Sequence, residues 1–164
     1  MSIDLVLCAT DLSREEGAAW RSAAQLLRAV NARFRILHVI EPVPFPYPSE
    51  GPGFGEVQER LRSDLLNETR RVVRRRLDTL QQEWAENLQP EKIEALEGIA
   101  AETILLEAER AGADMILVFG HRRGPLRRLL LGSVAQQVVS GARIPVVVVP
   151  IADGSAGATA VKRT

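Results

Sequence analysis

Gly120-His121-Arg122-Arg123-Gly124 follows an apolar run, and Gly132-Ser133 opens an amphipathic one. Glycines let phosphate oxygens approach the backbone closely. The free N–H groups at a helix start add donors and a favourable dipole. The Ser133 hydroxyl can donate to a phosphate or cap its own helix. The plainer alternative is an ordinary β–α connection with a glycine turn and a serine cap. Asp11 ends the first apolar run. Its carboxylate can accept from an adenine amino group or a ribose hydroxyl, or help hold a metal. It can equally make an Asx turn into the following helix. Arg122, Arg123, Arg127 and Arg128 gather at the glycine loop. Guanidinium groups there suit bidentate phosphate contacts or form a solvated rim.

Other candidates read as structural. Arg70, Arg71, Arg74, Arg75 and Arg76 lie on a helix with acidic residues at both ends, which favours a solvated face over a nucleic-acid patch. His38 falls inside a strand and reads as structural, whereas His121 sits in the loop. Cys8 sits in an apolar run and is expected to be buried and unreactive. There is no Walker A, HExxH or CxxC motif, which argues against a dedicated transition-metal site. No Ser-His-Asp arrangement stands out, so no catalytic residue is assigned and at most a slow nucleotide hydrolase is considered.

The elements that must position these residues follow from hydrophobic patterning. Short, nearly continuous apolar runs at 3–9, 34–40, 114–119 and 145–149 read as buried strands, and 92–97 as a weaker alternating one. Ser13 and Glu16 have capping-box spacing, which starts a helix near Arg14; Trp20, Ala23, Ala24, Leu27 and Val30 follow at helical steps. The proline- and glycine-rich segment 41–56 is neither helix nor central strand and is either a lid or an excursion. After it, Val57, Leu61, Leu65, Val72, Val73, Leu77, Leu80 and Trp84 make one expected core stripe of a long helix. Residues 100–111 form a helix with Gly112 as its C-cap, and 133–140 a short helix capped by Ser133.

This alternation predicts an α/β fold, a doubly wound five-stranded parallel sheet of order 3-2-1-4-5 with helices on both faces, Rossmann-like. Its switch point lies between the C-terminal ends of strands 1 and 4, where Asp11 and the Gly120 loop meet. One domain is expected over 1–150, with 151–164 a flexible tail. If the strand Val146, Val147, Val148, Val149 is last in the sheet, it is an exposed apolar edge, and a homodimer through it is expected.

Lys and Arg number 21 and Asp and Glu number 21 in 164 residues, so formal net charge is zero. That argues against a protein built to coat nucleic acid or an anionic membrane. A single cysteine excludes an internal disulfide framework and fits a reducing compartment. The N-terminus lacks signal-peptide features and no apolar run spans a bilayer, so a cytoplasmic location is expected.

The segments Leu5-Val-Leu-Cys-Ala-Thr-Asp11-Leu-Ser13, Leu37-His-Val39, Gly98, Leu117-Val-Phe-Gly120, Leu129-Leu-Leu-Gly132-Ser133-Val134 and Pro145-Val-Val-Val-Val149 resemble the universal stress protein family, in order, from about 3 to 150. The resemblance implies a five-stranded α/β sandwich, usually a homodimer, acting in stress response, with ATP as ligand in many members. The nucleotide site it implies comprises Ala9, Thr10, Asp11 and Val39 around the adenosine, and Gly120, Gly132, Ser133 and Val134 along the phosphates. The ATP-binding members carry Gly, two residues, Gly, nine residues, then Gly-Ser or Gly-Thr. Here the loop is one residue shorter, and Arg122 or Arg123 replaces the middle glycine, either crowding the triphosphate or supplying charge to it. The expected function is a stress-response regulator binding an adenine nucleotide, with ATP, with or without magnesium, as cofactor. The alternative is a dimeric interaction module, docking a protein partner, whose arginine loop fills the cleft.

Overall fold

Every residue of the first strand is buried, Leu5 through Ala9, because it is covered on both faces. Val6 and Cys8 point into one core and Leu5, Leu7 and Ala9 into the other. Period-two alternation between two apolar layers is what makes the run read as continuous. The computed structural model describes residues 2–13, 16–42, 54–84, 89–122 and 129–151.

The elements are β1 (Leu5–Ala9), α1 (Glu16–Val30), β2 (Arg33–Ile40), α2 (Phe54–Trp84), β3 (Lys92–Glu97), α3 (Ala100–Ala111), β4 (Met115–Arg122), β5 (Leu129–Leu130), α4 (Ser133–Gly141) and β6 (Val146–Ile151). Five strands pair in parallel in the order β3-β2-β1-β4-β6. This is the expected 3-2-1-4-5 sheet, β6 being the fifth parallel strand. The chain starts in the middle, winds outward through β2 and β3, then restarts at β4. Register follows Cys8 opposite Ile36 on one side and Leu117 on the other, and Leu117 opposite Val147. Trp20, Ala23 and Leu27 of α1 and Val73 and Leu77 of α2 cover one face; Ile104 and Ala108 of α3 and Ala135 and Val138 of α4 cover the other.

Three expectations need correction. The residues expected to form one stripe of α2 occupy two. Val73, Leu77 and Leu80, joined by Leu66 from outside that set, turn toward the core, while Val57, Leu61, Leu65 and Val72 are exposed; the Trp84 side chain lies outside the described residues. At 3.6 residues per turn these groups lie roughly 130° apart, so one sheet cannot bury both. The helix also starts at Phe54 rather than after Glu56; residues 43–53 of the proline-rich segment lie outside the described residues. Second, β4 does not stop at Phe119. Gly120 pairs with Pro150 and His121 with Ile151, so β6 carries β4 on to His121, and Leu129 opposite Arg122 carries it one residue farther. The same register extends β6 to Ile151, which is buried, where the tail was expected to begin. Third, the glycine–arginine loop contains a short strand. His121 pairs antiparallel with Leu130 and Arg122 with Leu129. Because β6 already occupies one edge of β4 at His121, β5 takes the opposite edge, the one β1 holds farther back.

The C-terminal end of α3 matches its signal. Gly112 takes the left-handed conformation (φ 64°) and its N–H closes α3 onto Ala108 and Glu109. At the N-terminal edge of the sheet, Asp114 Oδ2 accepts from the Asp4 and Leu5 N–H groups. Its carboxyl is thereby held below the usual carboxylate range. Among the described residues, no helix is long and apolar enough to cross a membrane.

Candidate functional site

The turn after β1 is built on hydrogen bonds that the capping-box spacing only half predicts. The Glu16 N–H reaches the Ser13 carbonyl at 3.3 Å, but the buried Ser13 hydroxyl has no partner among the described residues. Glu16 turns its carboxyl the other way. Oε2 accepts from the Thr10 hydroxyl (2.5 Å) and the Trp20 indole (3.2 Å), and Oε1 accepts from the Asp11 N–H (3.1 Å). The Thr10 oxygen in turn accepts from the Leu12 N–H at 2.9 Å, with Leu12 in the left-handed region at φ 60°. Asp11 Oδ1 accepts from the Ser13 N–H at 2.7 Å, so the Asx turn does form. Two neighbouring elements pin the turn from outside. His38 Nδ1 lies 2.8 Å from the Thr10 carbonyl, and the Arg76 guanidinium donates to the Leu12 carbonyl. Arg76 is thus a tie between α2 and the turn. Arg70 pairs with Glu97, and Arg71 and Arg75 pair with Glu68 on their own helix face.

Glu16 is 2 % exposed. Burial, and then the neighbouring Asp11 carboxyl, push its pKa up to about 8. Loss of water disfavours the charged form, and a second carboxylate alongside disfavours it further. Cys8, wholly buried, has its thiol pushed far above the ordinary range and is inert, as expected.

This turn forms one wall of a cavity of about 450 Å3 at the C-terminal ends of β1, β2 and β4. Ala9, Leu37, Val39, Ile40, Val118 and Phe119 give it an apolar lining, and Thr10, Asp11, Glu16 and His38 a polar side. The start of α4 supplies Gly132, Ser133, Val134 and Ala135. Gly132, not Ser133, is the N-cap, so the Ser133 hydroxyl does not cap the helix. The Gln136 N–H closes onto the Gly132 carbonyl. The N–H groups of Ser133, Val134 and Ala135, the first helical turn, have no intrahelical acceptor. Such a turn favours an anion. The size suits a small organic molecule.

Of the residues expected at a nucleotide site, Ala9, Thr10, Asp11, Val39, Gly132, Ser133 and Val134 line this one cavity. Gly120 is a paired strand residue that does not line the cavity, and Arg122 lies beyond it, its backbone paired with Leu129. Arg123 and the rest of 123–128 lie outside the described residues. Glu16 and His38 are wall residues that the spacing alone assigned to a helix cap and a strand. Trp20 four residues after Glu16 and Thr10 six before it are the signal that would have found the first. Among the described residues, no three His, Cys, Asp or Glu side chains converge to hold a metal ion.

Comparison with known proteins agrees with this architecture. Universal stress protein MJ0531 of Methanocaldococcus jannaschii is 30% identical over 145 residues, 88% of this chain and 80% of the relative. The solved structure of hypothetical protein MJ0577 superposes with a TM-score of 0.69 at 23% identity, covering 93% of this chain and 99% of that one. A universal stress protein in complex with cAMP (TM-score 0.55, 20% identity, 93% of this chain and 100% of that one) shares the fold. So does one from Archaeoglobus fulgidus in complex with dAMP (0.55, 18%, 91% and 99%). The model of the universal stress protein family matches residues 3–150, and the chain belongs to that family.

Proposed function

We propose that this chain is a stress-response regulator that binds an adenine nucleotide, ATP in particular, in the cavity at the ends of β1 and β4. The observation that carries the reading is the cavity's polarity. A carboxylate-bearing turn faces the free N–H groups of α4 across an apolar lining. A ligand with a flat apolar face, a hydrogen-bonding edge and an anionic end matches that arrangement. Family structures in complex with cAMP and dAMP support the adenine nucleotide class. Ala9 and Val39 would pack on the base, Asp11 and Thr10 would meet the nucleoside's hydroxyl or amino groups, and Gly132, Ser133 and Val134 would take the phosphates. Arg122, the last residue of β4, and Arg123, the next in sequence, would add charge to the distal phosphates. Calorimetric titration with ATP, with and without magnesium, tests the proposal. Micromolar to millimolar binding is expected. No heat and no thermal shift at millimolar ATP would contradict it.

A second reading has one observation of its own. His121 pairs antiparallel with Leu130 and Arg122 with Leu129, so β5 returns along the edge of β4 that β1 holds farther back. In that reading the loop occupies the cleft and the chain acts as a docking module for a protein partner. Protein purified free of nucleotide, with an Arg122 or Arg123 side chain in the cavity, would favour it.

The unit regulated is a homodimer formed through β6. Among the described residues β6 pairs on one edge only, to β4, and Val146, Val147 and Val148 are half-buried. An apolar edge with free N–H and C=O groups is completed by antiparallel pairing with a second copy. Sedimentation at micromolar protein should give a dimer, and a charged substitution such as Val147→Lys should give a monomer. We place the protein in the cytoplasm, where its single buried thiol stays reduced.

A further inference from the structure

We propose that the nucleotide site continues past the base into a second cavity and takes an adenine nucleotide that carries an apolar substituent on its exocyclic amine. This extension rests on the nucleotide reading and narrows the class of ligand. The second cavity, of about 270 Å3, adjoins the first: Ile40, Glu41 and Thr69 line both. Pro42, Leu65 and Leu66 complete its apolar side, and Gly98, just after β3, lines it too.

Strand order sets the direction of the ligand. α4, whose first turn would take the phosphates, packs against β4 and β6. The base is placed at Ala9 and Val39, on β1 and β2. The second cavity lies at the ends of β2 and β3, between Ile40 and Glu97. The sheet runs β3-β2-β1-β4, so these three stations follow one another along its C-terminal edge. Neighbouring strands lie roughly 4.8 Å apart, which makes the path from β4 to β3 about 14 Å. The exocyclic amine sits on the side of adenine away from the ribose. With the phosphates held at α4, that amine points along the edge toward β3 and the second cavity.

The second cavity suits carbon rather than charge. Of its charged residues, Glu97 is paired with Arg70 and Arg62 with Glu59. The Thr69 hydroxyl donates to the Leu65 carbonyl of its own helix at 2.9 Å. Leu65 is 44 % exposed, so it has apolar surface left to cover. Glu41, at the junction, uses Oε1 to accept from the Ala100 N–H at 3.2 Å. Among the described residues its Oε2 stays open to the one N–H that a substituted amine keeps. A dry cavity of about 150 Å3 already holds benzene, so a ring or a short branched chain fits this one.

The test is calorimetric titration of ATP, and of ATP benzylated on its exocyclic amine, into wild type and Leu65→Glu. Leu65 lines the second cavity and not the first. Each CH2-sized group removed from water tightens binding roughly fourfold. We therefore expect the benzylated nucleotide to bind wild type about tenfold tighter than ATP, or better. Leu65→Glu should cancel that gain, because it sets a charge against the ring, and should leave the Kd for ATP within about twofold of wild type. A benzylated nucleotide that binds no tighter than ATP overturns the proposal and leaves nucleotide binding standing. So does a gain that survives Leu65→Glu, or a loss in Leu65→Glu that ATP shares equally. No binding of either nucleotide to wild type overturns both.

Discussion

The Thr10 carbonyl oxygen lies 2.8 Å from His38 Nδ1. A carbonyl only accepts, so this nitrogen carries the hydrogen, and β2 is tied to the first residue past β1. The bond is long-range, 28 residues apart in sequence, and it sets the height of the turn that bears Asp11 and Glu16. Replacing His38 by Ala leaves a buried acceptor unpaired. We expect a loss of about 1–3 kcal/mol in urea unfolding. We also expect weaker ATP binding, since the turn is freed on its β2 side.

The two faces of α2 should respond differently to truncation. Leu77 is 6 % exposed and Leu61 53 %. Leu77→Ala removes core packing and is expected to cost about 2–5 kcal/mol. Leu61→Ala should stay within about 0.5 kcal/mol. Equal losses in denaturant titration would contradict the division of the helix into a core face and an outer face.

Gly98 sits between β3 and α3 at φ 154°, with its N–H on the Ile40 carbonyl. A Cβ there would meet Thr103 Oγ1 at 2.4 Å. Gly98→Ala should therefore destabilise by about 1–3 kcal/mol. Adding Thr103→Ala should restore part of that loss, and a thermodynamic cycle of the four proteins reads the coupling.

Stability should also depend on Glu16 through pH. Its ordinary value is about 4.3, and in the folded protein it is pushed up to about 8. A carboxyl raised on folding binds its proton more tightly in the native state. Its contribution is full below pH 4.3 and declines as pH rises toward 8. Thermal midpoints of wild type should fall relative to Glu16→Gln across that window. Asp114 has the opposite sign. Its depressed value makes its contribution full above the normal carboxylate range and lost in acid, so Asp114→Asn should flatten the acid side of the curve.

Much of the fold was legible because burial on both faces leaves a mark in composition. Leu5–Ala9 reads as a strand buried on both faces, and right-handed crossovers leave few sheet orders, of which the favoured one is observed. The extent of β4 was not legible, because Gly120 reads as a break until Pro150 is seen opposite it. Nor was the division of α2, since eight apolar residues at mixed steps of one, three, four and seven fit a broad single stripe as easily as two narrow ones. Of the residues lining the cavity, Thr10, Asp11, Gly132 and Ser133 stood out by type and position, Val39 and Val134 only through the family resemblance, and His38 was read as structural. Glu16 was missed as a site residue because capping-box spacing already explained it. Its long-range consequence, a carboxyl turned back onto Thr10 and Asp11, depends on Trp20 and on the Asx turn closing beneath it.

The most direct measurement is a two-dimensional amide NMR titration of the full chain with ATP. Saturating shifts are expected at Thr10, Asp11, Val39, Ser133 and Val134, with the α3–α4 groove around Leu105 and Ile144 unchanged. Unchanged amides at Thr10, Asp11 and Ser133 under millimolar ATP would contradict it, as would shifts confined to another surface.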